Sequence, residues 1–212
     1  MMLVKAYRMI TIIDYGFGNI ASIVNILKHI GCESVVSSSA SDILKANKII
    51  LPGVGSFDPA VEKIDELNLR QVLNYKALQE KTPILGVCLG MQLLTTESEE
   101  GKLKGLNFIP AKTIKFKFEE NNSLKIPHMG WNFVRPENKS LLTNEVTRDF
   151  KFYFIHSYKV VCDDPKNSIL KTYYDGFFDS AIQKDNIYGV QFHPEKSHKY
   201  GMHLLRNFIK IR

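Results

Sequence analysis

The sequence predicts a single α/β domain with a central, mostly parallel sheet, flanking helices and antiparallel additions in the C-terminal half. Three observations carry this reading. Apolar, β-branched runs alternate with stretches of helical spacing as far as residue 96, the pattern of right-handed βαβ units. From Leu106 onward, short strand-like runs follow one another with no helix between them. A chain of 212 residues suits one well-buried core, and no linker, repeat or low-complexity tract divides it.

The elements follow in order. Residues 9–14 (MITIID) read as a buried strand. Residues 19–30 set Ile20, Ile23, Val24, Leu27 and Ile30 at helical spacing, and Gly31 closes that helix. Residues 34–37 form a short strand, and Ser41-Asp42 can cap a short helix. Residues 48–51 form a third strand that runs into Pro52-Gly53-Val54-Gly55. Residues 61–78 are helical, in two pieces. Residues 83–88 (PILGVC) form another buried strand, again ending at a glycine turn and a helix. The later strands are expected over residues 113–118, 131–134, 152–158, 169–174, 177–183 and 187–191, as additions to the same sheet. A helix over residues 200–211 follows them.

Composition excludes several functions. No stretch approaches the roughly 18 unbroken apolar residues of a membrane helix. Residues 1–8 lack the apolar run and cleavage site of a signal peptide, and read as an N-terminal extension, disordered or a misplaced start. Residues 9–212 form the domain. Cys32, Cys88 and Cys162 are few, odd in number and widely spaced, which points to a reducing cytoplasm. The net charge of +6 is spread along the chain with no basic run, which argues against nucleic-acid binding and leaves an acidic protein partner or a phosphorylated metabolite. The six histidines show no close ligand pair, so no metal site is expected.

Gly86-Val87-Cys88-Leu89-Gly90 carries the clearest chemistry. A cysteine between glycines, after a strand and before a helix, matches a nucleophile elbow. The tight turn tolerates no side chains beside it, and the helix start favours thiolate. A small buried residue at a strand end is the bland alternative, and Cys32 and Cys162 are read that way. His193, at the end of the strand over residues 187–191, can serve as base to Cys88, and Glu195 can orient its ring. The backbone N–H groups of Gly53, Val54 and Gly55, with that of Leu89, can receive an oxyanion. That glycine run lacks the lysine of a phosphate-binding loop; a plain turn is the alternative.

These motifs, with Pro127-His128-Met129-Gly130-Trp131-Asn132, Tyr153-Phe154-Ile155-His156-Ser157-Tyr158 and Gly189 to Ser197, resemble the class I glutamine amidotransferases. Among these they resemble the glutaminase subunits of imidazole glycerol phosphate synthase, the HisH family, from about residue 9 to 208. The resemblance implies that Cys88 forms a γ-glutamyl thioester with L-glutamine, with His193 shuttling the proton and Glu195 orienting it. It implies that Gln92 and Glu100 hold the α-amino and carboxylate ends of the substrate, and that His156, Ser157 and Tyr158 flank it. Glu100 as a solvated acid and Tyr158 as a core residue are the bland alternatives. No cofactor is implied. The implied partner is a (β/α)8-barrel cyclase subunit in a heterodimer that consumes the ammonia in histidine biosynthesis, meeting the chain near residues 127–132 and Lys196. Ser197 to Met202, with Thr95-Thr96, resembles paralogues that feed ammonia to amidination of bacterial surface sugars.

Overall fold

The computed structural model describes residues 9–118 and 124–212; the extension expected over residues 1–8 lies outside them. Strands β1 (Ile10–Ile13), β2 (Ser34–Ser37), β3 (Ile49–Leu51) and β4 (Ile84–Val87) run parallel. The crossovers contain α1 (Ile20–His29), α2 (Ala40–Leu44), and α3 (Phe57–Glu66) with α4 (Leu69–Asn74) and a π-helical turn at Tyr75–Gln79. Helix α5 (Leu89–Leu93) follows β4 directly. The helix expected from residue 61 starts earlier, because Pro59 falls in its first turn, where no backbone donor is lost. It breaks at Asn68, which takes a left-handed φ of 54°.

The second half supplies β5 (Glu97–Ser98), β6 (Ala111–Lys115), β7 (His128–Phe133), β8 (Arg135–Pro136), β9 (Lys151–His156), β10 (Tyr158–Cys162), β11 (Ser168–Tyr173), β12 (Phe177–Lys184) and β13 (Ile187–Val190), then α6 (His198–Lys210). The sheet runs β2-β1-β3-β4-β13-β12-β10-β6-β5, with β11 beside β12 and β8 beside β11. β13 lies parallel to β4, and β12, β10 and β6 continue antiparallel. The register sets Val190 opposite Val87, so the residues that follow, Gln191 and Cys88, emerge side by side at the carboxyl ends.

One expectation is corrected. β7 and β9 do not join the central sheet but form a separate two-stranded ribbon. The strand read through residues 152–158 breaks at Ser157, and Tyr158 starts β10 in the main sheet. Burial alternates through Phe152, Phe154 and His156, lapses over Ser157, Tyr158 and Lys159, which are all half-buried, and resumes at Val160. A period of two reports which face is buried, not which strand is paired.

Both faces of the parallel strands are covered. Ile10, Ile12, Ile50 and Leu85 pack with α1 (Ile23, Leu27) and α6 (Leu204, Leu205, Phe208). Ile13, Ile49, Leu51 and Ile84 pack with α3 (Phe57, Ile64), α4 (Leu69, Leu73) and α5 (Leu93). The unbroken apolar reading of these strands follows from this double burial. Among the described residues no cysteine forms a disulfide. No described helix is long and apolar enough to cross a membrane.

Candidate active site

The site is built where β3, β4 and β13 end. Cys88 holds φ 56° and ψ −112°, a strained conformation for a side-chain-bearing residue. Its N–H donates to Val190 O at 2.8 Å, tying the elbow to β13. The flanking glycines are required by packing. A Cβ on Gly86 would come within 2.6 Å of Gly90 O, and one on Gly90 would stand 1.9 Å from Leu51 O.

His193 and Glu195 are buried together. His193 Nδ1–H donates to Glu195 Oε1 at 2.7 Å, with 2% and 1% of the two side chains exposed. Ser197 fixes this turn: its hydroxyl donates to His193 O at 2.6 Å and accepts from Tyr153 N–H at 3.0 Å. His193 Nε2 is buried without a hydrogen-bond partner among the described residues. Burial alone would lower the imidazole pKa, but the side chains of Cys88 and Glu195 outweigh it and push it up to about 10. The ring is thus held as imidazolium, facing the sulfur.

A cavity of about 320 Å³ opens at the sulfur, within the size range of small-molecule sites. Val54, Gly55, Cys88, Leu89, Gln92, Glu100, His156, Ser157, Tyr158 and His193 all line it. Gly53 and Glu195 lie behind, under Leu89 and His193 respectively. Glu100 Oε2 accepts from Phe57 N–H at 3.1 Å, and burial, with the nearby Asp58, raises its carboxyl pKa. Among the described residues, no group of three or more His, Cys, Asp or Glu is placed to hold a metal.

The loop expected to receive the oxyanion has its own geometry. Leu89 N–H donates to Gly53 O at 3.3 Å, so a backbone carbonyl occupies this donor. The loop is held from outside by residues that sequence reasoning passed over. Tyr15 O–H, buried, donates to Pro52 O at 2.6 Å, and Phe17 packs where a Gly55 side chain would go. The glycines of Gly16-Phe17-Gly18, beside a second glycine loop, were the available signal.

The His156 ring does not present a free nitrogen to the cavity. Its Nδ1–H donates to Tyr158 O at 2.7 Å, so its Nε2 must accept. The donor is His128 Nδ1–H at 2.9 Å, and His128 Nε2 in turn accepts from Asn132 Nδ2 at 3.1 Å. The chain assigns both tautomers and requires both rings neutral. Burial lowers the His128 pKa to about 4 and, with smaller charge effects, that of His156 to about 3. In the unfolded chain both titrate near 6.5. The unfolded state therefore binds more protons below pH 6.5, and this pair contributes stability that is complete above 6.5 and is lost as pH falls toward 4. The slope is about 1.4 kcal/mol per pH unit for each ring. His193 has the opposite sign: its contribution is complete below 6.5 and is lost as pH rises through about 10. Urea unfolding midpoints between pH 4 and 7 check the first arm, and a flat profile there would refute the neutral pair.

Gln191 was also missed. It is fully buried, its Nε2 lies 3.7 Å from Cys88 Sγ, and its Oε1 accepts from Gln92 Nε2 at 3.1 Å. The signal was present: two residues before His193 at a strand end, it faces the same side.

Comparison with known proteins shows the family. Residues 11–211 match the family "Glutamine amidotransferase class-I". The chain is 56% identical to imidazole glycerol phosphate synthase subunit HisH 2 of Methanococcus maripaludis, over 95% of this chain and 99% of that one. It is 43% identical to subunit HisH 2 of Pseudomonas aeruginosa, over 96% and 100%. It is 44% identical to subunit HisH of Leptospira interrogans, over the same shares. Among solved structures, a glutamine amidotransferase superposes with a TM-score of 0.70 at 15% identity, over 94% of this chain and 97% of that one. PurLQS from Thermotoga maritima superposes with a TM-score of 0.69 at 17% identity, over 95% and 97%. These two show the fold; the sequence relatives show the family. The family match over residues 11–211 and the full-length likeness to HisH subunits agree, and the chain belongs to the HisH family of class I glutamine amidotransferases.

Proposed function

We propose that this chain is the glutaminase subunit of an imidazole glycerol phosphate synthase. It hydrolyses L-glutamine to glutamate and ammonia in the cytoplasm, and passes the ammonia to a (β/α)8-barrel cyclase subunit in histidine biosynthesis. The observation that supports this most is the strained Cys88 facing a buried, charged His193 backed by Glu195. Cys88 Sγ attacks the side-chain amide carbon, and the proton on His193 Nε2 goes to the departing ammonia. The neutral ring then takes a proton from water as that water attacks the thioester. The C–S bond breaks, glutamate leaves, and the thiolate–imidazolium pair is restored. Gln92 and Glu100 hold the α-amino and carboxylate ends of the substrate, with Ser157 and Tyr158 flanking it, and all four line the cavity.

The oxyanion contact requires a change. With Gly53 O on Leu89 N–H, a carbonyl points where a donor is needed. Turning over the Gly53–Val54 peptide replaces that carbonyl with Val54 N–H and frees Leu89 N–H. Val54 is half exposed and Gly55 sits at φ 125°, so the turn meets little resistance. Docking of the barrel is the natural trigger. The β7 ribbon presents Met129, Trp131 and Phe133 together on one exposed face, and Lys196 stands over Tyr153 beside it.

The test is glutamate formation by the chain alone, with the barrel subunit and its ribotide ligand, and with Cys88→Ala. Stimulation of at least about 100-fold, mainly in kcat, is expected if docking completes the oxyanion site. No glutaminase activity under any condition would overturn the reading. Trp131→Ala is expected to weaken binding of the barrel at least about tenfold, measured by calorimetry.

A second reading keeps the chemistry and changes the partner to a related barrel that amidinates a bacterial surface sugar. It rests on His198, in the segment that resembles those paralogues. His198 stacks on Trp131 at 5.6 Å and 6°, on the face offered to the partner. Glutaminase activity that needs Cys88 but ignores the cyclase and its ligand would select it.

A further inference from the structure

Cys88 Sγ sits between two uncharged groups of opposite kind. Ile155 O, at 4.0 Å, can only accept, and so suits a thiol that donates S–H. Gln191 Nε2, at 3.7 Å, can only donate, and so suits a thiolate. With 7% of Cys88 exposed, little water is available to solvate a charged sulfur, and protein donors must replace it. The five-residue α5 is too short to do this through its dipole, and Leu89 N–H is already engaged by Gly53 O. Beyond His193, the donor left is Gln191.

Its orientation is set by a chain of amides. Gln92 Nε2 donates to Gln191 Oε1 at 3.1 Å, which leaves the Gln191 NH2 facing the sulfur and Gln92 Oε1 as that side chain's remaining acceptor. Gln92 lines the cavity, where this carbonyl can accept from an ammonium group. Reversing both amides would turn Gln92 NH2 toward that cation and Gln191 O toward the thiolate, two repulsive contacts. We infer that Gln191 is a catalytic residue, the amide donor that holds the Cys88 thiolate. Gln92 is the positioning residue that fixes its polarity and links recognition of the substrate's α-ammonium to the attacking sulfur. The inference rests on the glutaminase reading above.

Gln191→Glu tests it with minimal change of shape, because the carboxylate still accepts from Gln92 and only the atom facing the sulfur becomes an acceptor. Gln191→Met is the second variant and removes both contacts. Alkylation of Cys88 by iodoacetamide is followed by mass spectrometry from pH 5 to 9, in the whole chain, beside glutaminase kinetics with the barrel partner. In both variants alkylation at neutral pH is expected to slow at least about tenfold and its pH profile to move upward, with kcat falling more than KM rises. Unchanged profiles and kcat within about twofold in either variant that melts like the wild type would overturn the inference. If both variants melt lower, an unmoved alkylation profile in the folded fraction overturns it too. A wild-type chain with no glutaminase activity, whose alkylation nevertheless depends on Gln191, would sink the glutaminase reading and leave the thiolate donor standing.

Discussion

Cys88→Ala is expected to abolish glutamine hydrolysis, with a loss of at least about 10⁴-fold, because a triad without its nucleophile keeps only binding and orientation. The more demanding expectation concerns stability. Cys88 holds φ 56° and ψ −112°, where any side chain is crowded and glycine is not. At an ordinary position glycine is less stable than alanine by roughly 0.5–1 kcal/mol. Here the sign should reverse, with Cys88→Gly more stable than Cys88→Ala by about 1 kcal/mol, since relief of strain outweighs the freedom glycine gains in the unfolded chain. Both variants lack the sulfur, so thermal unfolding of the two compares backbone alone. If alanine proves the more stable, the elbow is not strained, and the nucleophile is aimed by packing rather than by a forced turn.

The parts of the site that could be read from sequence were those whose chemistry needs an unusual residue. Gly86 and Gly90 announce a turn with no room for side chains; the Leu51 backbone fills that room at Gly90, and the Gly90 backbone with Leu94 fills it at Gly86. His193 with Glu195 two residues on suggests a base and its orienter, and the structure joins the two side chains at 2.7 Å. The parallel half of the sheet was legible because strands buried on both faces carry no polar alternation. What stayed hidden depended on long-range pairing. Nothing in the residue types of Phe152 to Tyr158 marks the step from the β7–β9 ribbon to the main sheet, since aromatic residues stand on both sides of it, at Phe154 and Tyr158; only the structure shows the burial lapsing at Tyr158. Gln191 looked like one more strand residue until the register with β4 put its amide beside Cys88. The part played by His156 required His128, 28 residues away, to settle which nitrogen carries the proton.

Gly90→Ala should be among the most damaging substitutions in the chain. The added Cβ would lie 1.9 Å from Leu51 O and 2.9 Å from Leu51 C, with the Pro52 backbone next at 3.2 Å. No side chain stands there to rotate away. Relief requires the end of β3 and the start of α5 to separate, and that motion carries Gly53 away from Leu89 and Cys88 away from His193. A loss of at least about 3 kcal/mol is expected, at the severe end for a single substitution. For a domain of this length that is a fall in Tm of about 10 °C. Any folded fraction should lose at least about 100-fold in kcat, since displacements near 1 Å cost that much where reacting groups must align. Gly176→Ala is the complementary control, because it replaces a glycine at φ 106° that meets nothing within 4 Å, whereas Gly90 has no left-handed φ and is crowded by backbone. Its cost should stay near 1 kcal/mol, with activity intact. The two substitutions separate close approach of backbones from backbone conformation. A Gly90→Ala protein that melts no lower than Gly176→Ala would mean that β3 and α5 do not touch as described, and the loop at Gly53 to Gly55 and Cys88 would then be free to move independently.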